Sequence, residues 1–300
     1  MALRCGVGGA VAVAALAGLP VTQAYATGDD REERSAQVMT ELVPSADGPG
    51  CAAAVDNAPE WARSVTLADL MRHTSGIADY QDLLEAKGVE VTDPAGRQDA
   101  LKAVLASQPD SSQRGSFSYS NSTYILLAHV VEKVTGKPFP AFVQQEFFTP
   151  LQLRVTLAPA TDVPGKAKSY DEKDGSFTPN SSPWTQYGDG SVQTTPGEMV
   201  RWADNYRTGR VGGEQLLAGV TAGAVSVGDV LRARGVEEGR YGAAMLLLPD
   251  KSLVHRGDWE QFHSTFKVSP DRNTAVTVVC NVDSPDIFRA ANQLLDIWTK

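Results

Sequence analysis

The chain has 300 residues, of which 42% are hydrophobic and 21% are charged, and its formal net charge is -9. This composition is ordinary for a globular protein that buries a sizeable core. The acidic balance excludes proteins that bind nucleic acid or anionic membranes through a basic surface.

The first residues predict a secretory signal peptide over residues 1–26. Arg4 gives a positive start, residues 6–19 form an apolar run, and Ala24-Tyr25-Ala26 has the small-x-small form of a cleavage site. An uncleaved anchor is the alternative, although the run is short and Gly-rich for a span of about 20 residues. We therefore expect a secreted, extracellular protein with no membrane association after cleavage.

Two cysteines, Cys51 and Cys280, remain after the expected cleavage. Export permits a disulfide between them. Each cysteine also lies in an apolar, strand-like segment, where a buried thiol would pack equally well. The sequence leaves both alternatives open.

Helical periodicity dominates the chain up to about residue 150. Helices are predicted over residues 30–42, 66–73, 121–136 and 140–148, with a short strand over residues 51–55. Asn121 is expected to cap the third helix, and Gly136 is expected to end it. The inward positions predicted for this helix are Tyr124, Leu127, Val131 and Val134.

The later part of the chain changes to turns and then to strands. Residues 157–192 are rich in turn residues, including Asp174-Gly175, and Pro196 is expected to open another helix. Four strands are predicted over residues 241–248, 252–255, 262–268 and 274–280, followed by an amphipathic helix over residues 286–298.

The predicted fold class is α+β, an α/β sandwich in which terminal helices flank an antiparallel sheet that contains a helical insert. We assign residues 27–300 to one domain. Its sheet part covers residues 27–56 and 235–300, and its helical part covers residues 57–234.

Four segments, in this order along the chain, resemble motifs of the serine β-lactamase-like and penicillin-binding-protein-like hydrolases. They are residues 65–77 with His73-Thr74-Ser75-Gly76, residues 117–127 with Tyr119-Ser120-Asn121, residues 188–199, and residues 255–262 with His255-Arg256-Gly257. This family includes class C β-lactamases, D-alanyl-D-alanine carboxypeptidases, D-aminopeptidases and esterases. The resemblance implies a β-lactamase/transpeptidase-like fold and acyl transfer on β-lactams, D-amino-acid peptides or esters.

The resemblance also implies roles for five residues. Tyr119 is the candidate base or proton shuttle, and His255 is the second candidate catalytic group. Asn121 would bind the substrate amide, Gly257 would allow close approach of a ligand, and the backbone N–H of Asp258 would donate to an oxyanion. The simpler alternatives are a half-buried aromatic for Tyr119, a helix cap for Asn121 and a solvated histidine for His255.

The nucleophile of the family, a helical Ser-x-x-Lys, is not found where it belongs. The chain passes from residue 55 almost directly to the helix at residue 66, so a strand and the nucleophile helix of the family pattern are missing. The one literal match, Ser264 to Lys267, alternates like a strand, which would place the two side chains on opposite faces. Ser75 ends a structural helix, and Ser118 and Ser120 have no adjacent base, so the nucleophile stays unknown.

Other chemistries have weaker support in the sequence. The G-x-S-x-G, H-E-x-x-H and C-x-x-C patterns do not occur, and the histidines lack metal-ligand spacing, so we expect no metal and no cofactor. We expect a monomer that takes a small-molecule or peptide substrate. Three hypotheses stay open: an exported serine hydrolase with impaired activity, a catalytically inactive protein that binds cell-wall-like peptides, and an internally deleted copy.

Overall fold

The computed structural model describes residues 59–158, 163–229, 238–282 and 286–300. The chain divides into two compact units, Met1–Thr66 and Leu67–Lys300, so the assignment of residues 27–300 to one domain stays a prediction. In the first unit, a short 3-10 helix covers Glu60–Ser64. The expected signal peptide, the helix over residues 30–42, the strand over residues 51–55 and Cys51 lie outside the described residues.

The helices of the second unit are distributed along its whole length. Their bounds are α1 Leu67–Met71, α2 Tyr80–Glu85, α3 Arg97–Ala106, α4 Asn121–Thr135, α5 Phe139–Val143, α6 Pro196–Ala203, α7 Asn205–Thr208, α8 Gly213–Thr221 and α9 Ile287–Thr299. Helix α5 continues as a π-helical turn over Gln144–Phe148. The predicted helices over residues 140–148 and 286–298 and the helix opened by Pro196 are thus confirmed.

The strands of the second unit form one large sheet and two small ones. Their bounds are β1 Thr156–Leu157, β2 Ser169–Lys173, β3 Ser176–Asn180, β4 Val192–Gln193, β5 Val225–Ser226, β6 Arg240–Tyr241, β7 Leu246–Leu247, β8 Leu253–Trp259, β9 Phe262–Val268 and β10 Ala275–Cys280. The large sheet has the order β10-β9-β8-β7-β6-β5, and β1-β4 and β2-β3 form pairs. Its strand pairs are antiparallel, which confirms the α+β class.

Both faces of the large sheet are covered. Successive residues of β8 point to opposite faces, and each face has its own core cluster. Val254 joins a core cluster with Phe117, Tyr241 and Phe288. Leu253 joins a second cluster with Phe266, Val268 and residues of α6. Among the described residues, no helix is long and apolar enough to span a membrane.

The prediction of a single strand over residues 241–248 is wrong. The segment forms two strands, β6 and β7, which pair with each other around a turn in which Ala244 has a left-handed φ of 61°. Gly242 fits this turn because a Cβ there would overlap the carbonyl oxygen of Val220. Strand β5 also extends the sheet into residues that were assigned to the helical part.

Helix α4 has the predicted end but not the predicted cap. Gly136 ends it with a left-handed φ of 67°. Ser120, with φ -151° and ψ 120°, is the N-cap, and Asn121 is the first helical residue. The most buried residues are Ser122, Thr123, Ile125, Leu126 and Ala128, whereas Val134 is 74% exposed. Tyr124, Leu127 and Val131 are half-buried, so the predicted inward face is correct only in part; α4 packs against several helices, including α1 and α3.

Smaller features agree with the sequence or refine it. Asp174 and Gly175, with φ of 53° and 75°, form the predicted turn between β2 and β3. Helix α1 ends at Met71 rather than at His73. Cys280 is half-buried, and its pairing with Cys51 stays untested because Cys51 lies outside the described residues.

Candidate active site

The site is built around His73, a fully buried histidine that follows helix α1. Its left-handed φ of 54° turns the imidazole away from the helix and into a group of aromatic rings. The distances from its ring centroid are 4.3 Å to Tyr119, 4.9 Å to Tyr241, 5.2 Å to Tyr124 and 5.9 Å to Phe117. The imidazole is therefore a packing element as well as a polar group.

The hydrogen bonds of His73 fix its tautomer. The backbone N–H of Ser120 donates to Nδ1 at 3.2 Å, so Nδ1 carries no hydrogen and Nε2 carries it in the neutral ring. Nε2 is buried without a hydrogen-bond partner among the described residues. Burial, together with the nearby His255, lowers the pKa of His73 to about 3. The ring is therefore neutral at pH 7.

Tyr119 directly precedes Ser120, whose N–H bonds His73, and its side chain is 44% exposed. Its ring is tilted by 36° against His73. Ser120 is extended and buried, so Tyr119 and Asn121 lie on the same side of the chain. The geometry presents the phenol at the surface on a rigid, buried support.

Asn121 is held by a carboxylate that comes shortly after His73. Oδ2 of Asp79 accepts hydrogen bonds from the backbone N of Asn121 at 2.7 Å and from its Nδ2 at 2.9 Å. Oδ1 of Asp79 accepts from the backbone N of Gln81 at 2.9 Å and caps helix α2. One carboxylate thus joins the starts of two helices.

His255 lies on β8 and is directed towards Tyr241. Its Nε2 is 3.0 Å from the hydroxyl oxygen of Tyr241, within hydrogen-bonding distance. The Tyr241 ring also contacts Tyr119, with centroids 6.4 Å apart, so both predicted catalytic residues pack against the same phenol. Burial lowers the pKa of His255, and His255, like His73, is neutral at pH 7.

Gly257 and Asp258, farther along β8, make contacts with the neighbouring strand and with their own strand. A Cβ on Gly257 would lie 2.7 Å from Oγ of Ser264, its partner on β9. Oδ1 of Asp258 is 2.8 Å from Nδ1 of His263 and 3.8 Å from Nη2 of Arg256. The ligand-binding roles of Gly257 and Asp258 stay predictions.

Two of the serines considered as nucleophiles, Ser264 and Ser75, occupy structural positions. Ser264 and Lys267 lie on strand β9, as predicted, and Nζ of Lys267 donates to Oδ1 of Asn292 at 2.6 Å. Ser75 is buried, and its Oγ accepts from the backbone N of Ile77 at 3.2 Å. Neither serine hydroxyl therefore has a lysine one helical turn away, as the serine of a helical Ser-x-x-Lys would.

Sequence analysis missed three residues of this arrangement. His73 was noted only as part of a helix-end motif, while Asp79 and Tyr241 were not considered for the site. The acidic residue that immediately precedes Tyr80 and helix α2 was a usable signal for Asp79, because Asp is a preferred helix cap. In the described part of the chain, no group of three or more His, Cys, Asp or Glu side chains is arranged to hold a metal ion.

Together, the antiparallel sheet, the Tyr119 segment and the β8 strand have the form expected of serine β-lactamase-like hydrolases. A family model described as Beta-lactamase matches residues 22–297. The chain belongs to the β-lactamase family.

Individual relatives are distant in sequence. The D-alanyl-D-alanine-carboxypeptidase/endopeptidase AmpH of Escherichia coli (strain K12) is 25% identical over 142 residues, which are 47% of this chain and 36% of the relative. The chain thus spans about a third of the length of the curated relatives that it matches.

Solved structures show the same fold over most of the chain. A penicillin-binding protein from Bacillus halodurans superimposes with a TM-score of 0.65 at 25% identity, covering 77% of this chain and 72% of that one. A D-stereospecific amidohydrolase from Streptomyces sp. has a TM-score of 0.62 at 20% identity, covering 78% of this chain and 74% of that one.

Proposed function

We propose that this protein is an exported serine hydrolase of the β-lactamase family whose acyl transfer is strongly impaired. It binds D-amino-acid peptides, β-lactams or related esters beside Tyr119. The observation that carries the proposal is the 44% exposed side chain of Tyr119, which packs against the neutral His73 and against Tyr241, the residue that the neutral His255 also contacts. The site thus keeps groups that can meet a ligand, while neither histidine supplies the positive charge that would activate the phenol.

The impairment follows from the chemistry of tyrosine. An unperturbed phenol has a pKa of about 10, and a general base works best when its pKa is near the operating pH. Nearby positive charge would favour the phenolate. His73 and His255 supply none at pH 7, and the ammonium group of Lys267 is bound to Asn292.

The substrate class is supported by the names of the relatives. One is a D-alanyl-D-alanine carboxypeptidase and endopeptidase, and one solved neighbour is a D-stereospecific amidohydrolase. Both names describe hydrolysis next to a D-amino acid or with D-stereochemistry. We therefore infer a ligand with a D-amino-acid residue for this chain, and a cofactor is not required for such chemistry.

A catalytically inactive binding protein is the second candidate. It is favoured by the contacts of β8, where His255 lies against Tyr241 and Asp258 lies against His263. An internally deleted copy is the third. It is favoured by exposed apolar residues on α9 and the edge strand β10, namely Val279, Leu294, Ile297 and Trp298.

The test is to measure binding and hydrolysis of a fluorescent peptide that ends in D-alanyl-D-alanine. We expect saturable binding and a kcat far below about 1 s⁻¹, the lower end of ordinary enzymes. Because the phenol is not activated, Tyr119→Phe should lower the residual hydrolysis by much less than the roughly hundredfold that a working general base contributes. Tyr170→Phe, on strand β2, is the control and should change neither quantity.

Each outcome separates the candidates. Binding without any hydrolysis favours the inactive binding protein, and a kcat above about 1 s⁻¹ contradicts the impairment. A folded protein with no saturable binding refutes the proposed function. A product that is rapidly degraded by protease and shows no cooperative unfolding supports the deleted copy.

A further inference from the structure

The carboxylate of Asp189 connects a loop to the start of helix α2. Its Oδ2 accepts a hydrogen bond from the hydroxyl group of Tyr80 at 3.0 Å, across 109 residues of chain. Tyr80 is the first residue of α2 and is 1% exposed, and its ring packs against Trp184 with centroids 6.0 Å apart. Because the phenol is fixed in the core, the contact also fixes the position of Asp189.

The loop that carries Asp189, residues 188–191, is anchored at both ends. At its start, a Cβ on Gly188 would lie 2.7 Å from Cβ of Ala128, so the loop backbone touches helix α4. At its end, the carbonyl oxygen of Ser191 accepts a hydrogen bond of 3.1 Å from a backbone N that follows strand β1. Between these anchors, Asp189 is half-buried, so a small outward movement of the loop brings its carboxyl group into water.

A second carboxylate adjoins the same tyrosine. Asp79 directly precedes Tyr80 and accepts three hydrogen bonds from N–H groups. Burial raises the pKa of Asp189 to about 6, and the nearby charge of Asp79 adds to the shift. The hydrogen bond from Tyr80 favours the ionised form of Asp189, but burial outweighs it. Burial also raises the pKa of Tyr80, so the phenol is protonated at pH 7 and remains the donor.

The contacts of the loop with other elements involve uncharged groups. On α4, the loop meets the Cβ of Ala128 and the backbone of Tyr124. Beside strand β1 it meets the backbone of Ala158, and the ring that packs on Tyr80 is an indole. Asp79 is therefore the charge against which Asp189 ionises.

We propose that the contact between Asp189 and Tyr80 is an acid-operated latch that holds the loop of residues 188–191 against helix α2. A protonated Asp189 stays beside Tyr80 and keeps the loop closed, whereas ionisation places a second negative charge near Asp79 in a half-buried position. In the open loop, water solvates the carboxylate, so ionisation favours opening. The inference does not depend on the proposed function. It adds a pH-sensitive element beside helix α4.

Hydrogen–deuterium exchange of a peptic peptide that covers residues 186–193 tests the latch, with each rate divided by the intrinsic exchange rate at the same pH. The pKa of Asp189 is raised from its ordinary value of 3.8 to about 6 in the closed loop. The protection of this peptide should therefore fall about tenfold between pH 5 and pH 7, because ionisation shifts the loop towards the open form. A peptide from strand β9, residues 262–268, is the control for global stability and should show no such fall.

Asp189→Asn keeps an acceptor for the Tyr80 hydroxyl but cannot ionise. The protection of the 186–193 peptide should then change by less than about twofold between pH 5 and pH 7, and should stay at the level of the wild type at pH 5. Asp174→Asn removes an exposed carboxylate from the β2–β3 turn, where Asn tolerates the left-handed φ of 53°, and should keep the fall seen in the wild type. An equal fall in Asp189→Asn and the wild type would overturn the inference.

A second measurement needs no variant. The side-chain carboxyl carbon of Asp189, assigned by NMR through the backbone of its own residue, should titrate with a midpoint near pH 6. A midpoint near the ordinary value of 3.8 would show that Asp189 is not confined beside Tyr80, and would overturn the inference. Protection of the 186–193 peptide that does not change with pH in the wild type would overturn it as well. These two measurements on the wild type decide the question even where Asp189→Asn fails to fold.

Discussion

The segment of residues 117–121 and the strand β8 form two halves of the candidate site, and they use their polar groups differently. In the segment, His73 and Asp79 hold the chain from behind, through the Ser120 N–H and through both N–H groups of Asn121. The phenol of Tyr119 stays exposed. This half is supported from behind by His73 and Asp79, and it leaves the Tyr119 ring exposed where the proposed function places the ligand.

Strand β8 shows the opposite arrangement. His255 lies against the Tyr241 hydroxyl, and Asp258 lies against His263. Both contacts satisfy the polar groups within the protein. Under the proposed function, one half of a family site keeps a side chain exposed for a ligand, while the polar groups of the other half contact each other within the fold. Four predictions follow from this difference, in order of decreasing effect.

Replacement of His73 should give the largest change in stability. His73→Asn keeps a side chain that tolerates the left-handed backbone, but it removes a fully buried ring from between four aromatic rings. We expect the free energy of unfolding to fall by about 3 kcal/mol, as for other large-to-small core substitutions. Urea denaturation measures it, with the partly exposed His263→Asn as the control, for which we expect less than about 1 kcal/mol. Equal losses of unfolding free energy in His73→Asn and His263→Asn would contradict the difference between the two regions.

His73 should also make stability depend on pH. Its folded pKa of about 3 lies below the ordinary histidine pKa of 6.5, so the unfolded state takes up the proton first. The stability that the neutral ring contributes is complete above pH 6.5 and is lost as the pH falls towards 3. The slope should approach about 1.4 kcal/mol per pH unit in this window.

The measurement is the free energy of unfolding as a function of pH, for the wild type and for His73→Asn. The difference between the two slopes isolates His73, because other groups titrate nearby. His255, whose pKa is also lowered, acts in the same direction. Burial raises the pKa of Asp189 to about 6, which adds stability as the pH falls, and Asp79 acts likewise. A difference that does not change between pH 6.5 and 4 would contradict the buried neutral state of His73.

Gly257 tests how closely β8 approaches β9. In Gly257→Ala, the new methyl group would lie 2.7 Å from Oγ of Ser264. We expect a loss of about 1–2 kcal/mol in the free energy of unfolding, the usual cost of overpacking. Ser264→Ala in the same chain should restore most of it in a double-mutant cycle. A neutral single substitution would show that a ligand has room beside this strand.

The two phenols of the site give the smallest and sharpest contrast. Tyr241→Phe removes the hydroxyl group beside the half-buried His255 and should cost about 1 kcal/mol. Tyr119→Phe changes a 44% exposed side chain and should cost less than about 0.5 kcal/mol. Thermal unfolding of both variants measures the difference. The reverse order would contradict the assignment of Tyr119 to the ligand-facing side.

Local patterns in the sequence predict much of this fold. Strand β9 and the end of α4 at Gly136 are correct because alternation and a left-handed C-cap are local features. The β6–β7 hairpin was missed because Ala244 at its turn is not a residue that favours a positive φ. The pair β1–β4 joins residues 156 and 193, a contact that no local pattern encodes.

The candidate site was predictable only as far as its motifs extend. Tyr119 and Asn121 follow from the resemblance. The residues that contact the site residues do not follow from the motifs. Asp79 bonds Asn121 across 42 residues of chain, and Tyr241 contacts His255 across 14. Whether a buried histidine is neutral also depends on its three-dimensional surroundings, which spacing along the chain does not describe.

The most direct measurement is the intact mass of the purified protein after incubation with a fluorophosphonate probe, at a protein concentration where the D-alanyl-D-alanine peptide binds saturably. Impaired acyl transfer predicts that the unlabelled mass dominates while peptide binding is retained. Stoichiometric labelling of a single serine, blocked by the peptide, would contradict the account and would identify a working nucleophile.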